Sequence, residues 1–210
     1  MNELLVSILQ AAAVHTGYTL VSVAIGAVLG LTLGIGLSRL PALARYLIPL
    51  LSILNTVPGI VFIGMLYILT GMTPATVIIA LSIYAMFPVL KNTVVGLDSV
   101  DAQYKEAARG CGMDHYQRLV QVELPLAMPT IIGGLRLSTV YTVSWAVLAA
   151  MISQGGLGNF IYQGVSSNNN ALILQGAVPA AILALILGGL VDLLQKRAVP
   201  RGLRKGRDGK

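Results

Sequence analysis

Asp98 to Pro125 reads DSVDAQYKEAARGCGMDHYQRLVQVELP, and it forms most of the one long hydrophilic stretch, Lys91 to Glu123, inside an otherwise apolar chain. Tyr104, Ala107, Ala108 and Cys111 recur at i, i+3, i+4 and i+7, which predicts a short helix with a narrow face of mostly small side chains. Asp101 and Lys105 are spaced to pair across one turn. Gly110 and Gly112 end this helix, because glycine takes the left-handed C-terminal position. Asp114 with Gln117 offers a capping-box start to a second short helix, whose apolar stripe is Tyr116, Leu119 and Val120. A helix-turn-helix of small residues can lie flat in a groove of another protein, so the segment reads as a docking element.

Working outward, the flanks are apolar runs of membrane-crossing length. About 20 residues of helix cross a ~30 Å hydrocarbon core, and five such runs are expected, at Tyr18–Leu37, Leu47–Leu69, Ala75–Leu90, Pro129–Ile152 and Ala171–Leu194. The composition agrees: the chain is 56% hydrophobic and 10% charged, with mean hydropathy +0.81, far from a soluble average. The expected fold class is an all-α integral membrane protein with about five transmembrane helices. Residues 1–195 form the transmembrane domain, the docking loop occupies 98–125, and residues 196–210 form a basic, disordered tail. Gly26, Gly30 and Gly34 share one face of the first span and allow a neighbouring backbone to approach closely.

Basic residues set the orientation, because positive loops stay in the cytoplasm. Of 14 Lys and Arg, two lie between spans one and two, four between three and four, and seven after span five; Arg136, within span four, completes the set and is expected to snorkel to the interface. The N-terminus, the Thr70–Pro74 turn and the Ser153–Asn170 loop have none. This sorts the loops one way, with the N-terminus outside and the C-terminus inside. Met1 to Thr16 lacks a basic start and a small-residue cleavage site, so the first apolar segment is expected to stay in the mature protein. The tail serves as a topology signal or also binds anionic lipid head groups.

Several function classes drop out. The excess of positive charge, net +6, is not interleaved with stacking aromatics as in nucleic-acid binding. One cysteine, Cys111, and two histidines, His15 and His115, offer neither a disulfide nor metal-ligand spacing. No G-x-x-x-x-G-K-[ST] loop is present to cradle nucleotide phosphates, so the chain is not an enzyme and binds no cofactor. Acidic residues stay in flanks and loops apart from Asp192 at a helix end, which leaves a proton-coupled carrier without support.

Polar residues within spans are costly unless they face a bundle interior or a cavity. Asn55 and Thr56 precede Pro58 in span two, where the proline removes a helical hydrogen bond and bends or unwinds the helix. This turn is read either as a pathway or gate, or as a structural kink with Asn55 bonding a neighbour. Tyr84, Tyr141 and Trp145 could meet a quaternary ammonium with their ring faces, or simply pack and anchor.

Glu106-Ala107-Ala108, Gly112, Val122 and Leu124-Pro125 resemble the EAA loop (E-A-A, three residues, G, nine residues, I, one residue, L-P), with Val122 for Ile as the one departure. That loop marks the permease subunits of type I bacterial ATP-binding-cassette importers. The resemblance implies a MetI-like fold in the cytoplasmic (inner) membrane, with Glu106, Ala107, Ala108, Gly110, Gly112, Leu124 and Pro125 coupling to the ATPase. It also implies two ATPase subunits that hold ATP and Mg, a second permease chain, identical or related, and an extracytoplasmic substrate-binding protein. Asn55-Thr56-Val57-Pro58, Tyr84 to Thr93, Val122 to Pro129 and Gly155-Gly156-Leu157-Gly158 look like the osmoprotectant branch, which imports glycine betaine, carnitine, choline or proline betaine. That branch usually has Gln where this chain has Asn55, which leaves open another small zwitterion or an amino-acid derivative. A structural membrane subunit without translocation is a further alternative.

Overall fold

A computed structural model describes residues 2–152 and 154–199. Nine α-helices follow one another among these residues: α1 Asn2–Ser38, α2 Pro41–Thr56, α3 Gly59–Thr70, α4 Pro74–Asp98, α5 Ala102–Gly110, α6 His115–Arg118, α7 Leu124–Ala146, α8 Gly158–Ser166 and α9 Asn170–Ala198. A π turn, Leu119–Glu123, joins α6 to α7, and a 3₁₀ turn, Val147–Ile152, follows α7. No strand occurs among the described residues, so the all-α expectation is met.

Four segments are long and apolar enough to cross a membrane: Glu3–Ser38, Pro74–Asp98, His115–Ala150 and Asn170–Ala198. The expected second span is not one helix. It is split into α2, of 16 residues, and α3, of 12, each shorter than a full crossing. Pro58 takes φ −55° and ψ 131°, which ends the helical path. Proline lacks the N–H that would continue the ladder and biases the preceding residue away from helix.

The first span begins well before Tyr18. Nothing between Asn2 and Gly17 breaks the helix, and its polar groups find local acceptors: Thr16 donates to Ala12 O at 2.7 Å and Thr19 to His15 O at 2.9 Å. Likewise the short third span gains flanks, running 25 residues from a Thr73 cap with Pro74 in its first turn.

α1, α4 and α7 form the centre of the bundle. A Cβ added at Gly30 would lie 2.6 Å from Met86 O, and one at Gly34 would lie 2.6 Å from Thr93 Cβ. The glycine face therefore does bring the α1 and α4 backbones together, as its spacing required. α4 meets α7 in the same way at Gly134, beside Asn92 and Pro88, and Ser138 donates to Ala85 O at 2.7 Å.

The Ser153–Asn170 loop of the sequence reading contains α8, which packs back on α9. Asn169 caps α9 by accepting from Ala171 N and Leu172 N. α9 continues to Ala198, so Lys196 and Arg197 are helical rather than part of a loose tail; the rest of that tail, 200–210, lies outside the described residues.

Candidate functional site

The EAA segment is built from caps. Asp101 Oδ1 accepts from Gln103 N at 3.1 Å and starts α5. Lys105 does not pair with Asp101; its Nζ donates to Leu97 O at 3.1 Å. A lysine there satisfies a carbonyl orphaned at the end of α4 and complements the helix dipole, an option that spacing within α5 alone cannot reveal. At the other end of α5, Cys111 N donates to Ala107 O and Met113 N to Ala108 O, with Gly112 at φ +79°. This is the glycine stop expected from the sequence.

Ala108 is buried and Lys105 half-buried, whereas Tyr104, Glu106, Ala107, Gly110, Cys111 and Gly112 are exposed. The small-residue face thus points away from the bundle, except at Ala108. Asp114 and Gln117 form the expected reciprocal capping box, at 2.8 and 3.0 Å.

The second short helix differs from expectation: α6 has four residues and does not end, but runs through the π turn into α7. Pro125 explains the widened turn. Having no N–H, it cannot continue the α ladder, and Leu124 N donates instead to Leu119 O, five residues back. Leu124 and Pro125 sit half-buried at this junction. Glu123 is buried in the same turn, its side chain 4% exposed, and its carboxylate lies 2.7 Å from Arg39.

The second group of candidate residues converges at the helix break. Tyr84 Oη donates to Val57 O at 2.8 Å, satisfying a carbonyl next to Pro58. The Tyr84 ring stands edge-on to Trp145 at 4.0 Å between centroids and to Phe62 at 5.2 Å. Tyr141 stacks on Trp145 at 6.5 Å. Asn55 joins Phe62 and Tyr84 around a cavity of only about 20 Å³, room for about one water. Thr56 is not part of it: its hydroxyl is exposed and donates to Ile53 O. Phe62 was missed because an aromatic in an apolar run carries no signal of its own.

Arg136 does not snorkel alone. Its Nε lies 2.8 Å from Asp192 Oδ1 on α9. This partner is 56 residues away along the chain, so helix spacing could not reveal it. No group of three or more metal-ligating side chains occurs among the described residues.

A bundle of long apolar helices, with one expected span broken at Pro58 and an exposed helical knob at one end, is the architecture of a multi-pass membrane protein. The family model for the binding-protein-dependent transport system inner membrane component matches residues 7–204, and the chain belongs to that family. It is 39% identical over 195 residues to the carnitine transport permease protein OpuCB of Listeria monocytogenes, covering 93% of this chain and 89% of that one. It is 34% identical over 190 residues to the glycine betaine/carnitine/choline permease protein OpuCB of Bacillus subtilis, covering 90% and 88%. In the fold it resembles the permease of the MetNI methionine transporter in an inward-facing crystal form, with TM-score 0.85, 20% identity, and coverage of 95% of this chain and 100% of that one. The chain is thus a multi-pass inner-membrane permease subunit of a binding-protein-dependent importer, with a MetI-like fold.

Proposed function

We propose that this subunit, with a second identical or related permease chain, forms the path by which a small compatible solute such as glycine betaine, carnitine or choline enters the cell. The observation that carries the solute class is sequence likeness over about nine-tenths of the chain to permeases named for those solutes. ATP and Mg are held by two partner ATPase subunits, since the sequence has no phosphate-cradling loop, and a binding protein delivers the solute from outside.

In this reading the α5–α6 knob faces the cytoplasm, and Glu106, Ala107, Ala108, Gly110 and Gly112 enter a cleft of the ATPase, with Leu124 and Pro125 joining the knob to α7. Orientation with the N-terminus outside is supported by the grouping of Arg39, Lys105 and Arg118 at one end of the bundle, the end where Arg39 meets Glu123. Asn55, Pro58, Tyr84 and Trp145 form a gate, closed in this arrangement because its cavity admits no solute; Thr56 and Tyr141 flank it. The gate supplies weak polar and aromatic contacts, and the binding protein sets affinity. A pathway with few fixed charges suits a solute whose own charge is balanced or diffuse.

The test is uptake of labelled glycine betaine by cells in which this system is the only importer, with and without hyperosmotic stress. Saturable uptake, competed by carnitine or choline, is expected. Failure of all three to enter or compete, with uptake of an unrelated amino acid, would refute the solute class.

A further inference from the structure

Below the gate, toward the knob, α4, α7 and α9 surround an open-sided cavity of about 590 Å³. Its polar groups are Asn92 on α4, Thr130 and Arg136 on α7, and Asp192 and Gln195 on α9. The Arg136–Asp192 pair sits in two membrane-crossing helices, yet its side chains are 48% and 43% exposed. A charged pair cannot face hydrocarbon cheaply, so this cavity suits water or a polar ligand.

The pair is only partly used. Arg136 meets Asp192 through Nε, and among the described residues neither side chain bonds any residue but the other, so the pair keeps hydrogen-bonding capacity beyond that contact. The Asn92 amide donates to Pro88 O while its carbonyl oxygen is unpartnered. Two ladders lead here from the gate. Tyr84, Pro88 and Asn92 on α4, and Trp145, Tyr141, Leu137 and Gly133 on α7, follow one another at four-residue spacing, so that each member neighbours the next on the helix surface. Eight residues of such a ladder cover about 12 Å, so the charged cavity lies about two turns beyond the aromatic gate.

We infer that this cavity is a second solute site on the inner half of the pathway, a paired-charge cradle for a zwitterion. A carboxylate of the solute meets the outer N–H donors of the Arg136 guanidinium, where charge-assisted bonds are strong. Its ammonium group lies beside the Asp192 carboxylate. The pair and the zwitterion are each neutral overall, so binding leaves no uncompensated charge in the membrane. The cavity falls within the ~300–1,000 Å³ range of small-molecule sites. This inference rests on the osmolyte-import reading and adds a location and a charge rule to it.

The test uses the complete transporter without its binding protein, in nanodiscs of phosphatidylglycerol alone, and measures equilibrium binding of labelled glycine betaine. The expected result is saturable binding. Betaine analogues that keep both charges compete, whereas 3,3-dimethylbutyrate, which lacks the positive charge, does not. R136Q and D192N each weaken binding at least about tenfold. The exchanged variant R136D/D192R keeps an ion pair between α7 and α9 but inverts the cradle, and it also loses binding while still co-eluting with the ATPase. Absence of saturable binding to the wild-type complex would overturn the site even where cells import betaine, so this failure is separate from failure of the import reading. Wild-type binding in the exchanged variant would reduce the pair to a helix staple. In a parallel set of nanodiscs that contain phosphatidylcholine, which has the same zwitterionic chemistry, occupancy by that lipid with no displacement by betaine would likewise overturn the proposal.

Discussion

The guanidinium of Arg39 lies 2.7 Å from the carboxylate of Glu123, with the arginine side chain 43% and the glutamate 4% exposed. This ties the α1–α2 connection to the π turn beneath the knob, two segments far apart in the chain. Removing the arginine leaves a buried carboxylate without its partner, which costs about 3–5 kcal/mol when the pair is well buried and less here because Arg39 is partly solvated. We predict that Arg39→Gln lowers the melting temperature of the purified complex and uncouples ATP hydrolysis from uptake, while Glu123→Gln, which leaves no buried charge, is milder. Equal effects of both on stability would argue against this account.

For orientation, Cys111 is exposed on the knob and Asn169 caps α9 at the opposite end. An impermeant thiol reagent applied to intact cells should spare Cys111 and label Asn169→Cys in a Cys111→Ser background. The reverse pattern would invert the topology.

Gly110 and Gly112 separate two effects of adding bulk to the knob. No atom lies within 4 Å of a Cβ built at either, but only Gly112 has a positive φ. A side chain at Gly112 therefore adds backbone strain of about 1–2 kcal/mol, whereas Gly110→Trp adds only volume on the exposed face. Gly110→Trp and Glu106→Lys should keep membrane levels normal yet reduce co-purification of the ATPase and abolish uptake. Normal uptake in both would remove this face from the interface.

At the gate, Tyr84→Phe keeps the ring but strands the Val57 carbonyl, a loss of about 1–3 kcal/mol for a buried unsatisfied acceptor. The break at Pro58 then loosens. We expect faster ATP hydrolysis without solute and a lower transport yield per ATP, measured in proteoliposomes. On the proposed reading, in which the binding protein sets affinity, Asn55→Leu should lower the maximal uptake rate more than the apparent affinity.

Gly30 and Gly36 provide a matched pair on α1. An added Cβ at Gly30 would lie 2.6 Å from Met86 O, whereas one at Gly36 meets nothing within 4 Å. Gly30→Ala should destabilise the bundle by about 1–3 kcal/mol through overpacking, and Gly36→Ala should be neutral or stabilising by up to about 1 kcal/mol, since alanine favours helix. Thermal unfolding of the two variants in detergent compares them directly.

The elements that the sequence reveals best are those whose cause is local. Gly112, the Asp114–Gln117 box and the break at Pro58 each follow from what one residue permits its own backbone to do. The glycine face of α1 was legible too, because its spacing announces a close neighbour. The partners were not: Lys105 finds Leu97 O, Arg136 finds Asp192, and Arg39 finds Glu123 only once helices are brought together. The early start of α1 was hidden because Gln10, His15 and Thr16 interrupt the apolar window, although Thr16 bonds within the helix and His15 Nε2 lies 2.9 Å from Val143 O. Within the candidate gate, residue type groups Tyr84, Tyr141 and Trp145, whereas the contacts of Tyr84 with Trp145 and with Phe62 are a property of packing.

The unbroken passage from α6 through the π turn into α7 has a mechanical meaning. A flexible hinge at this point would absorb a push on the knob as slack. A continuous rod delivers it as torque instead, from Gln117 to Trp145 over about 42 Å at 1.5 Å per residue. On the proposed import reading, Trp145 and the knob are then two ends of one lever, with the Arg39–Glu123 contact beside the junction as its fulcrum.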